Sequence, residues 1–296
     1  LLLKKNFKVV VVDNLINGKK FNKKNLFFIK KDFSSKFVSN YIKKKKIKKI
    51  VHLAAYIDAE ESTRLPRKYF RNNVIELEKF LVNIKNNKIE KFIFASSAAV
   101  YGNSKNKIDE KFVTKPISPY GLSKLQGEKI VSFFSRKYNF SSYQIRFFNI
   151  AGADFKIGCG PLNYSYKHIF NILLRSKKFF INGINYDTFD GTCIRDFVNV
   201  SDVSDIILKI LKKKEHKKGC KTFNCGSGIG TSVKSVVKAY KEKIDNNLLI
   251  YNGKRRKGDP VSIVADNQKI KKFTNIKFKK SNLGTIIQEY NDWKKN

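Results

Sequence analysis

The sequence contains no methionine, one tryptophan and few acidic residues, 24 against 62 lysines and arginines. It also lacks any apolar run near the ~18–20 residues of a membrane-spanning helix, so we expect no membrane partner. The apolar run at 1–3 is far shorter than the ~7–15 residues at the centre of a secretion signal. Because a chain that starts at its own initiation codon begins with methionine, we expect this one to begin inside a longer protein.

A net charge of +38 invites a nucleic-acid hypothesis, since basic surfaces release counterions from phosphate backbones. Only nine of the 62 basic residues are arginine, however, and the lysines are spread along the whole chain. Their densest group, at 43–49, is typical of a solvated helix end that leads into the next strand. We therefore interpret the lysines as the product of an AT-rich coding sequence and expect no nucleic-acid partner. A nucleic-acid-binding protein would instead need them on one face.

The cysteines and histidines are too scattered for a zinc site, which needs closely spaced cysteine pairs together with histidine. No two cysteines form a C-x-x-C pair. We therefore predict no metal and free thiols, as in a reducing cytoplasm. The residues are Cys159, Cys193, Cys220, Cys225, His52, His168 and His216.

Short apolar runs alternate with longer amphipathic segments in the first half of the chain, a pattern that predicts strands joined by crossover helices. Such units form a right-handed parallel sheet, so we expect a doubly wound α/β fold. Strands are predicted at 7–12, 49–54, 92–96 and 143–148, and helices at 66–86 and 120–138.

Past Gly152 the pattern changes to an irregular run and two shorter strand–helix units, at 222–243 and from 248 onwards. The length suits two domains of ~100–200 residues. We place them at 1–150 and 151–296, and expect 196–213 to pack back on the first.

Tyr120 and Lys124 stand four residues apart at the start of a predicted helix, which puts both side chains on one face. An ammonium group beside a phenol favours the phenolate, so a tyrosine, whose pKa is ordinarily ~10, can act as a base nearer neutrality. A chance surface pair is the alternative, because the chain is rich in both residue types.

Polar residues also stand where predicted strands end, which is where parallel sheets bind their ligands. Ser96 and Ser97 end one strand, and Ser97 is placed to hydrogen-bond a reacting hydroxyl or carbonyl; the alternative is a strand-to-loop cap. Asp13 ends the first visible strand and is placed to bind the hydroxyls of an adenosine ribose, unless it is a turn residue.

Two features of the second half suggest phosphate binding but have simpler alternatives. The turn GSGIG at 226–230 lacks the G-x-G-x-x-G spacing of a nucleotide loop, which favours a structural turn. Arg195 and Arg256 carry guanidinium groups that suit phosphate oxygens, and two of them converging would hold a pyrophosphate. Ordinary salt bridges, for instance to Asp196 or Asp259, are the alternative.

Short motifs follow one another along the chain in a fixed order. They are VVVDNL (10–15), HLAA (52–55), NNV (72–74), SSAAVYG (96–102), SPYGLSK (118–124), RFFNIAGA (146–153), DGTCIRD (190–196), NCGSG (224–228) and RRKGD (255–259). In this order they resemble the extended short-chain dehydrogenase/reductase family, from about residue 9 to the C-terminus. The motifs at 190–196 and 255–259 point to its UDP-glucose 4-epimerase branch.

The resemblance implies a Rossmann-like NAD-binding domain, a smaller α/β domain for a UDP-sugar, and a role for each matching residue. The catalytic set would be Ser97, Tyr120 and Lys124. NAD would be bound by Asp13, Asn14, Asp32, Phe33, Leu53, Ala54, Ala55 and Asn72, together with Tyr120 and Lys124. The sugar nucleotide would be bound by Ser97, Asn149, Arg195, Arg256 and Asp259.

The activity implied is NAD-dependent epimerisation at C4 of a UDP-hexose, between UDP-glucose and UDP-galactose, through a transient 4-keto intermediate. The resemblance also implies a cytoplasmic homodimer that acts in galactose metabolism. The alternatives are another sugar-nucleotide epimerase or dehydratase of the family, or an inactive truncated remnant. Because the family's first strand and glycine-rich pyrophosphate turn are not in the sequence, we expect them to precede Leu1.

Overall fold

The computed structural model describes residues 1–20, 22–104, 107–155, 158–161, 168–214, 218–256 and 259–295. Two compact units are present. The first contains 1–102, 113–146 and 207–223, and the second contains 103–112, 147–206 and 224–296. The sequence predicted two domains, 1–150 and 151–296, each with its own function. This functional division stays a prediction.

The first unit is built of parallel strand pairs and helices. Its strands are β1 (Val9–Asp13), β2 (Leu26–Lys30), β3 (Lys49–His52), β4 (Lys91–Ser97), β5 (Ser141–Phe147) and β9 (Gly219–Cys225). Its helices are α1 (Lys36–Lys44), α2 (Ala59–Arg64), α3 (Pro66–Phe70), α4 (Glu76–Ile84) and α5 (Pro119–Lys137). Strands β1 and β2 pair in parallel, and the order in the larger sheet is β3–β4–β5–β9, with β3 and β4 parallel.

Helix α4 shows how the sequence places the core of this unit. Leu77, Leu81 and Ile84 recur at helical spacing on one face, and each is at most 3% exposed. They belong to one apolar cluster with Phe92 and Phe94 of β4. Burying each of these side chains stabilises the fold by about 1.5–3 kcal/mol. The predicted parallel α/β fold is confirmed.

The predicted helix at 66–86 is interrupted by a π-helical segment, Arg71–Ile75, between α3 and α4. Within it, the Asn73 amide accepts a hydrogen bond from the Tyr56 amide and donates to the Tyr56 carbonyl and to Ser123 Oγ. Wider turns of this kind are frequent at functional sites. Tertiary hydrogen bonds of this sort are invisible to the hydrophobic period, so the sequence predicted one continuous helix.

The lysine group at 43–49 confirms the interpretation as a solvated helix end, because α1 ends at Lys44 and β3 begins at Lys49. The apolar face of α1 itself, with Val38 and Ile42 buried, was not predicted among so many lysines. The short strand β2 was not predicted either.

The second unit has its own mixed sheets and apolar core. Its strands are β6 (Asn149–Ala151), β7 (Lys178–Asn182), β8 (Ile194–Asn199), β10 (Gly230–Ser232), β11 (Leu249–Gly253) and β12 (Ser262–Ile263). Its helices are α6 (Ile169–Arg175), α8 (Val233–Lys243), α9 (Gln268–Thr274) and α10 (Leu283–Lys294), and α7 (Val200–Lys212) has residues in both units. Strand β8 pairs with β6, β10 and β12. The first residue of β6, Asn149, therefore lies beside Phe197 of β8.

Within the described ranges, no helix combines the length and the apolar character needed to cross a membrane.

Candidate functional site

The carboxyl end of β4 and the first turn of α5 meet in the first unit and bring together the predicted catalytic residues. Ser97 is the last residue of β4, and its Oγ accepts a hydrogen bond from Ala99 N at 3.1 Å. Tyr120 is the second residue of α5, and its phenol lies close enough to the Ser97 hydroxyl for Ser97 to lower its pKa. Lys124 lies one turn further on and donates from Nζ to the carbonyl oxygen of Ala95 at 2.8 Å. The strand-end cap and the catalytic interpretation of Ser97 are therefore compatible.

The residues at 118–121 determine where helix α5 begins. Ser118 caps it by accepting from Gly121 N at 3.1 Å, and Pro119 takes the first helical position, where a missing N–H costs nothing. A Cβ on Gly121 would collide with the carbonyl oxygen of Ala99. The glycine between the tyrosine and the lysine thus lets the helix come close to the turn that follows Ser97.

The electrostatics of this group differ from the simple expectation of a lysine that lowers the pKa of a tyrosine. Burial raises the pKa of Tyr120, and its hydrogen bond with Ser97 acts in the opposite direction. Lys124 is only 3% exposed, and burial lowers its pKa to about 7, against an upward effect of the Glu128 charge. The lysine is thus partly neutral near pH 7, and Ser97 is the group that acts to lower the pKa of the phenol.

Three contacts around Tyr120 were not recognised from the sequence. Its backbone N–H donates to Ser62 Oγ of α2 at 3.1 Å. Its ring meets the edge of the buried Tyr69 ring of α3 at 6.3 Å, and the Tyr69 hydroxyl donates to Glu61 Oε2 at 2.7 Å. Ser123 Oγ donates to the Tyr120 carbonyl at 2.7 Å. These contacts join residues up to 58 positions apart and leave no local signal in the sequence.

The predicted ribose and adenine residues lie at the carboxyl ends of β1 and β2, which form one edge because the strands are parallel. Asp13 Oδ1 accepts from Leu15 N at 2.7 Å, and Asn14 Nδ2 donates to Asp32 Oδ1 at 2.8 Å. A Cβ on Gly18 would approach Asp13 Oδ2 to 2.8 Å, so the glycine keeps the space beside this carboxylate open.

Phe33 and the residues after β3 complete this edge. The Phe33 ring packs edge-on to the His52 ring at 4.8 Å, and Leu53 leaves 58% of its surface exposed. Ala54 and Ala55 follow it with small side chains, and Asn72 in the π-helical segment donates to Asn73 Oδ1 at 2.9 Å. A carboxylate beside open space and an exposed apolar rim at strand ends fit the ribose and the flat rings of a dinucleotide.

The predicted UDP-binding residues lie in the second unit. Arg195 of β8 forms a salt bridge with Asp259 and donates from Nη1 to the Pro260 carbonyl at 2.8 Å. The Arg256 guanidinium lies 3.0 Å from the side-chain amide of Asn182, and with the amide oxygen turned toward it Nη2 donates to that oxygen. The salt bridge considered for Arg195 is therefore present, and it joins two of the predicted residues rather than excluding them.

Asn149 is placed beside the same strand. It is the first residue of β6 and pairs with Phe197 of β8, two positions after Arg195. Arg255, next to Arg256, stacks its guanidinium on the Tyr186 ring at 4.0 Å. The described part of the second unit thus collects two arginines, an amide and a carboxylate around β8 and the loop after β11.

The glycine turn at 226–230 is organised by a buried carboxylate. Asp196 is fully buried and accepts hydrogen bonds from Ser227 N and Oγ at 2.7 Å, Gly228 N at 2.9 Å and Ala265 N at 3.1 Å. A Cβ on Gly226 would collide with this carboxylate. The turn therefore wraps around a protein anion, which supports its structural interpretation over a phosphate loop.

Replacing Asp196 with alanine is expected to lower the free energy of unfolding by about 3 kcal/mol or more, because buried donors lose their acceptor. Urea unfolding followed by circular dichroism measures the change. Asp266→Ala is the matched control, because Asp266 is a half-buried carboxylate whose hydrogen bond from Gln268 N lies at the surface. Equal stability of the two variants would contradict this role for Asp196.

A parallel α/β sheet with a tyrosine and a lysine one helical turn apart at its carboxyl edge defines a Rossmann-like enzyme that uses a dinucleotide. Residues 1–226 match the NAD dependent epimerase/dehydratase family. The chain belongs to this family, which confirms the predicted cofactor, NAD.

Several named proteins are similar to this chain over nearly its whole length. The UDP-glucose 4-epimerase of Lactobacillus helveticus is 32% identical over 302 residues, 99% of this chain and 92% of that enzyme. UDP-arabinose 4-epimerase 1 of Arabidopsis thaliana is 30% identical, over 99% of this chain and 75% of that protein. The crystal structure of UDP-glucose 4-epimerase from Bifidobacterium longum in complex with NAD+ and UDP aligns with a TM-score of 0.87 and 27% identity. The alignment covers 99% of this chain and 92% of that one.

Proposed function

We propose that the protein epimerises a UDP-hexose at C4, between UDP-glucose and UDP-galactose, through a transient 4-keto sugar. The observation that carries this proposal is the meeting of Tyr120 and Ser97 at the carboxyl end of β4, with Lys124 one turn along α5 and bonded to the Ala95 carbonyl. The similarity to UDP-glucose 4-epimerases over nearly the whole chain supports the choice of substrate.

Tyr120 acts as the base that takes the proton of the sugar hydroxyl and later returns it. Ser97 hydrogen-bonds the same oxygen and holds the phenol in place. The Lys124 ammonium, when charged, favours the phenolate. NAD, held at the edge that Asp13 and Leu53 form, would supply the hydride acceptor and donor.

The residues after Ser97 favour epimerisation over dehydration. Elimination of water from a sugar needs an acid beside the catalytic hydroxyl, and dehydratases of the family usually carry Asp-Glu there. This chain has Ala98, which is buried, and Ala99, and neither can donate a proton. We therefore propose that a hydride leaves C4 and is returned to C4 within one cycle, so that the cofactor would be oxidised again at the end.

In this proposal the UDP group is bound by Asn149, Arg195, Arg256 and Asp259. Arg195 is held by the Asp259 carboxylate and the Pro260 carbonyl, so its guanidinium is fixed before a ligand arrives. Arg256 has an amide partner that a phosphate oxygen can replace with a stronger, charge-assisted bond.

Arg256→Ala is expected to raise KM for the UDP-sugar about 10–100-fold with little change in kcat, because the phosphate contact is made in both ground and transition states. Steady-state kinetics measure both constants. Arg136→Ala, which removes an arginine that donates to Ser132 on α5, is the matched control. A fall in kcat at unchanged KM would contradict the phosphate role.

A coupled assay on the purified protein tests the proposed function. UDP-galactose is supplied, and the UDP-glucose formed is oxidised by a second enzyme. UDP-arabinose and UDP-xylose are assayed in parallel, because similar proteins include UDP-arabinose 4-epimerases. Conversion of the UDP-pentoses alone would contradict the proposal that the substrate is a UDP-hexose. Conversion of none of these sugars would contradict the proposed epimerase function. The cytoplasmic homodimer and the role in galactose metabolism stay predictions.

A further inference from the structure

A buried ion pair lies one helical turn beyond Lys124, and the proposed mechanism gives it no role. Glu128 of α5 and Arg146 of β5 have side chains that are 5% and 8% exposed. Arg146 donates from Nε and Nη2 to the two carboxylate oxygens at 2.8 and 2.7 Å, and from Nη1 to the Tyr101 hydroxyl at 2.8 Å. A bidentate pair of this kind has a fixed geometry, so it can hold two elements in one relative position.

Strand β4 and helix α5 meet through three successive positions of the strand and three helix positions spaced by four. The contacts are Tyr120 with Ser97, Lys124 with the carbonyl oxygen of Ala95, and Glu128 Oε1 with Ser96 Oγ at 2.5 Å. The Glu128 contact is the furthest from Tyr120 along the helix, whereas its strand partner, Ser96, is next to Ser97. Because Arg146 fixes this carboxylate from β5, Glu128 holds the helix to the strand position beside Ser97.

We propose that Glu128 is a positioning residue for the catalytic pair. With Arg146 it fixes α5 against the end of β4 and balances the charge around the Tyr120 and Lys124 side chains. This inference rests on the proposed function, because it gives these two side chains the role of a base and its helper.

The charge of Glu128 matters because Lys124 is poised between its two protonation states. Burial lowers the Lys124 pKa to about 7, and Glu128, one turn away, acts to raise it. Among the described residues near the pair, His52 of β3 is buried, and burial followed by the Lys124 charge lowers its pKa to about 3. Glu61 of α2, bonded to Tyr69, has a lowered pKa because of the Tyr69 and Lys68 hydrogen bonds. Both keep one charge state across the neutral range.

The direction of the expected effect follows from charge alone. Each proton lost by the Tyr120 and Lys124 pair removes one positive charge, whichever group releases it. Glu128→Gln makes the surroundings more positive, so the apparent pKa values of the pair fall. Arg146→Gln leaves a carboxylate uncompensated, so they rise. Glu128 is closer to Lys124 than to Tyr120 along the helix, so its loss also disfavours the state with a phenolate and an ammonium.

The experiment compares pH profiles of kcat/KM for UDP-galactose between pH 5 and 9. The acid limb is expected to move down by about one pH unit in Glu128→Gln and up by a similar amount in Arg146→Gln. The double variant is expected to return within about 0.3 pH units of the wild type. In the protein without substrate, NMR of 13C-labelled tyrosine follows the ionisation of Tyr120, and its transition is expected to move in the same directions.

Conservative and distant variants separate positioning from general damage. Glu128→Asp keeps the charge and shortens the reach, so the acid limb should stay in place while kcat falls at least about tenfold. Glu90→Gln removes an exposed carboxylate paired with Lys48 and should change neither. Thermal unfolding verifies that each variant is folded; if one single variant is not, the double variant and Glu128→Asp still test the limb position.

Limbs that do not move, or that move in the same direction in both single variants, would overturn the proposal. A double variant whose limb stays displaced would do the same. If the wild-type protein converts no UDP-sugar, the proposed function fails, while the NMR transitions of Tyr120 still report whether Glu128 and Arg146 set the charge balance.

Discussion

Tyr120→Phe is expected to lower kcat for epimerisation by about 10²–10⁴-fold, with KM for the UDP-sugar nearly unchanged. The substitution removes the oxygen that takes the proton from the sugar in the proposed function, and it leaves the rest of the side chain. The ring contact with Tyr69 and the hydrogen bond from the backbone N–H to Ser62 do not involve the hydroxyl, so the fold of this region is retained. Initial rates in the coupled assay, at saturating and limiting substrate, separate kcat from KM.

Tyr138→Phe is the matched control for this prediction. Tyr138 follows the last turn of the same helix and packs on Phe134 in the core, far along the chain from Ser97. The same change of one oxygen there should leave both constants within about twofold of the wild type. Activity retained by Tyr120→Phe would show that another group takes the proton.

Local sequence rules predicted the positions of the proposed catalytic residues but not their electrostatic state. The four-residue spacing of Tyr120 and Lys124 and the place of Ser97 at a strand end depend on neighbours in the chain, and periodicity reports these. The pKa values depend on burial by segments that are distant in sequence. Spacing alone predicted a tyrosine acidified by its lysine, whereas burial raises the tyrosine pKa and lowers that of the lysine.

The supporting contacts show why the rest of the site was not predicted. Asn73 reaches Ser123 across 50 positions, and Arg195 reaches Asp259 across 64. No periodicity relates residues as far apart as Asn73 and Ser123, or Tyr120 and Ser62, and each of them also has an ordinary local interpretation. Gly121 is similar, because the sequence shows a flexible residue, while only the fold shows a carbonyl oxygen where its side chain would be. The Arg195–Asp259 salt bridge is different, because the sequence had suggested it as one of two alternatives.

Lys124→Met is expected to lower kcat at least about 100-fold and, at the same time, to stabilise the fold toward low pH. In the proposed function the Lys124 ammonium favours the Tyr120 phenolate, and its loss accounts for the expected fall in kcat. The stability effect follows from burial, because a charged lysine that is 3% exposed has lost most of its hydration. Activity and stability therefore change in opposite directions at one residue, as occurs where catalysis needs a strained group.

The sign of the pH dependence follows from the pKa values of Lys124 in the folded and unfolded chains. In the folded chain the pKa is about 7, below the ordinary lysine value of 10.5, so the unfolded chain binds more protons between these limits. The wild-type protein therefore gains stability as the pH rises through that window, and it bears the full cost of the buried charge below pH 7. Methionine has no such cost at any pH.

The measurement compares urea unfolding of Lys124→Met and wild type at pH 6 and at pH 9.5. The advantage of the variant is expected to be larger at pH 6 by about 2–4 kcal/mol, and effects that do not depend on pH, such as the unpaired Ala95 carbonyl, cancel in this difference. Lys129→Met, at an exposed position of the same helix, is the control and should show the same difference from wild type at both pH values. An advantage for Lys124→Met that does not change with pH would mean that Lys124 keeps its proton throughout this range in the folded protein. The tyrosine would then have a permanent positive neighbour, and its ionisation would depend on Ser97 and on the bound cofactor rather than on the charge state of the lysine.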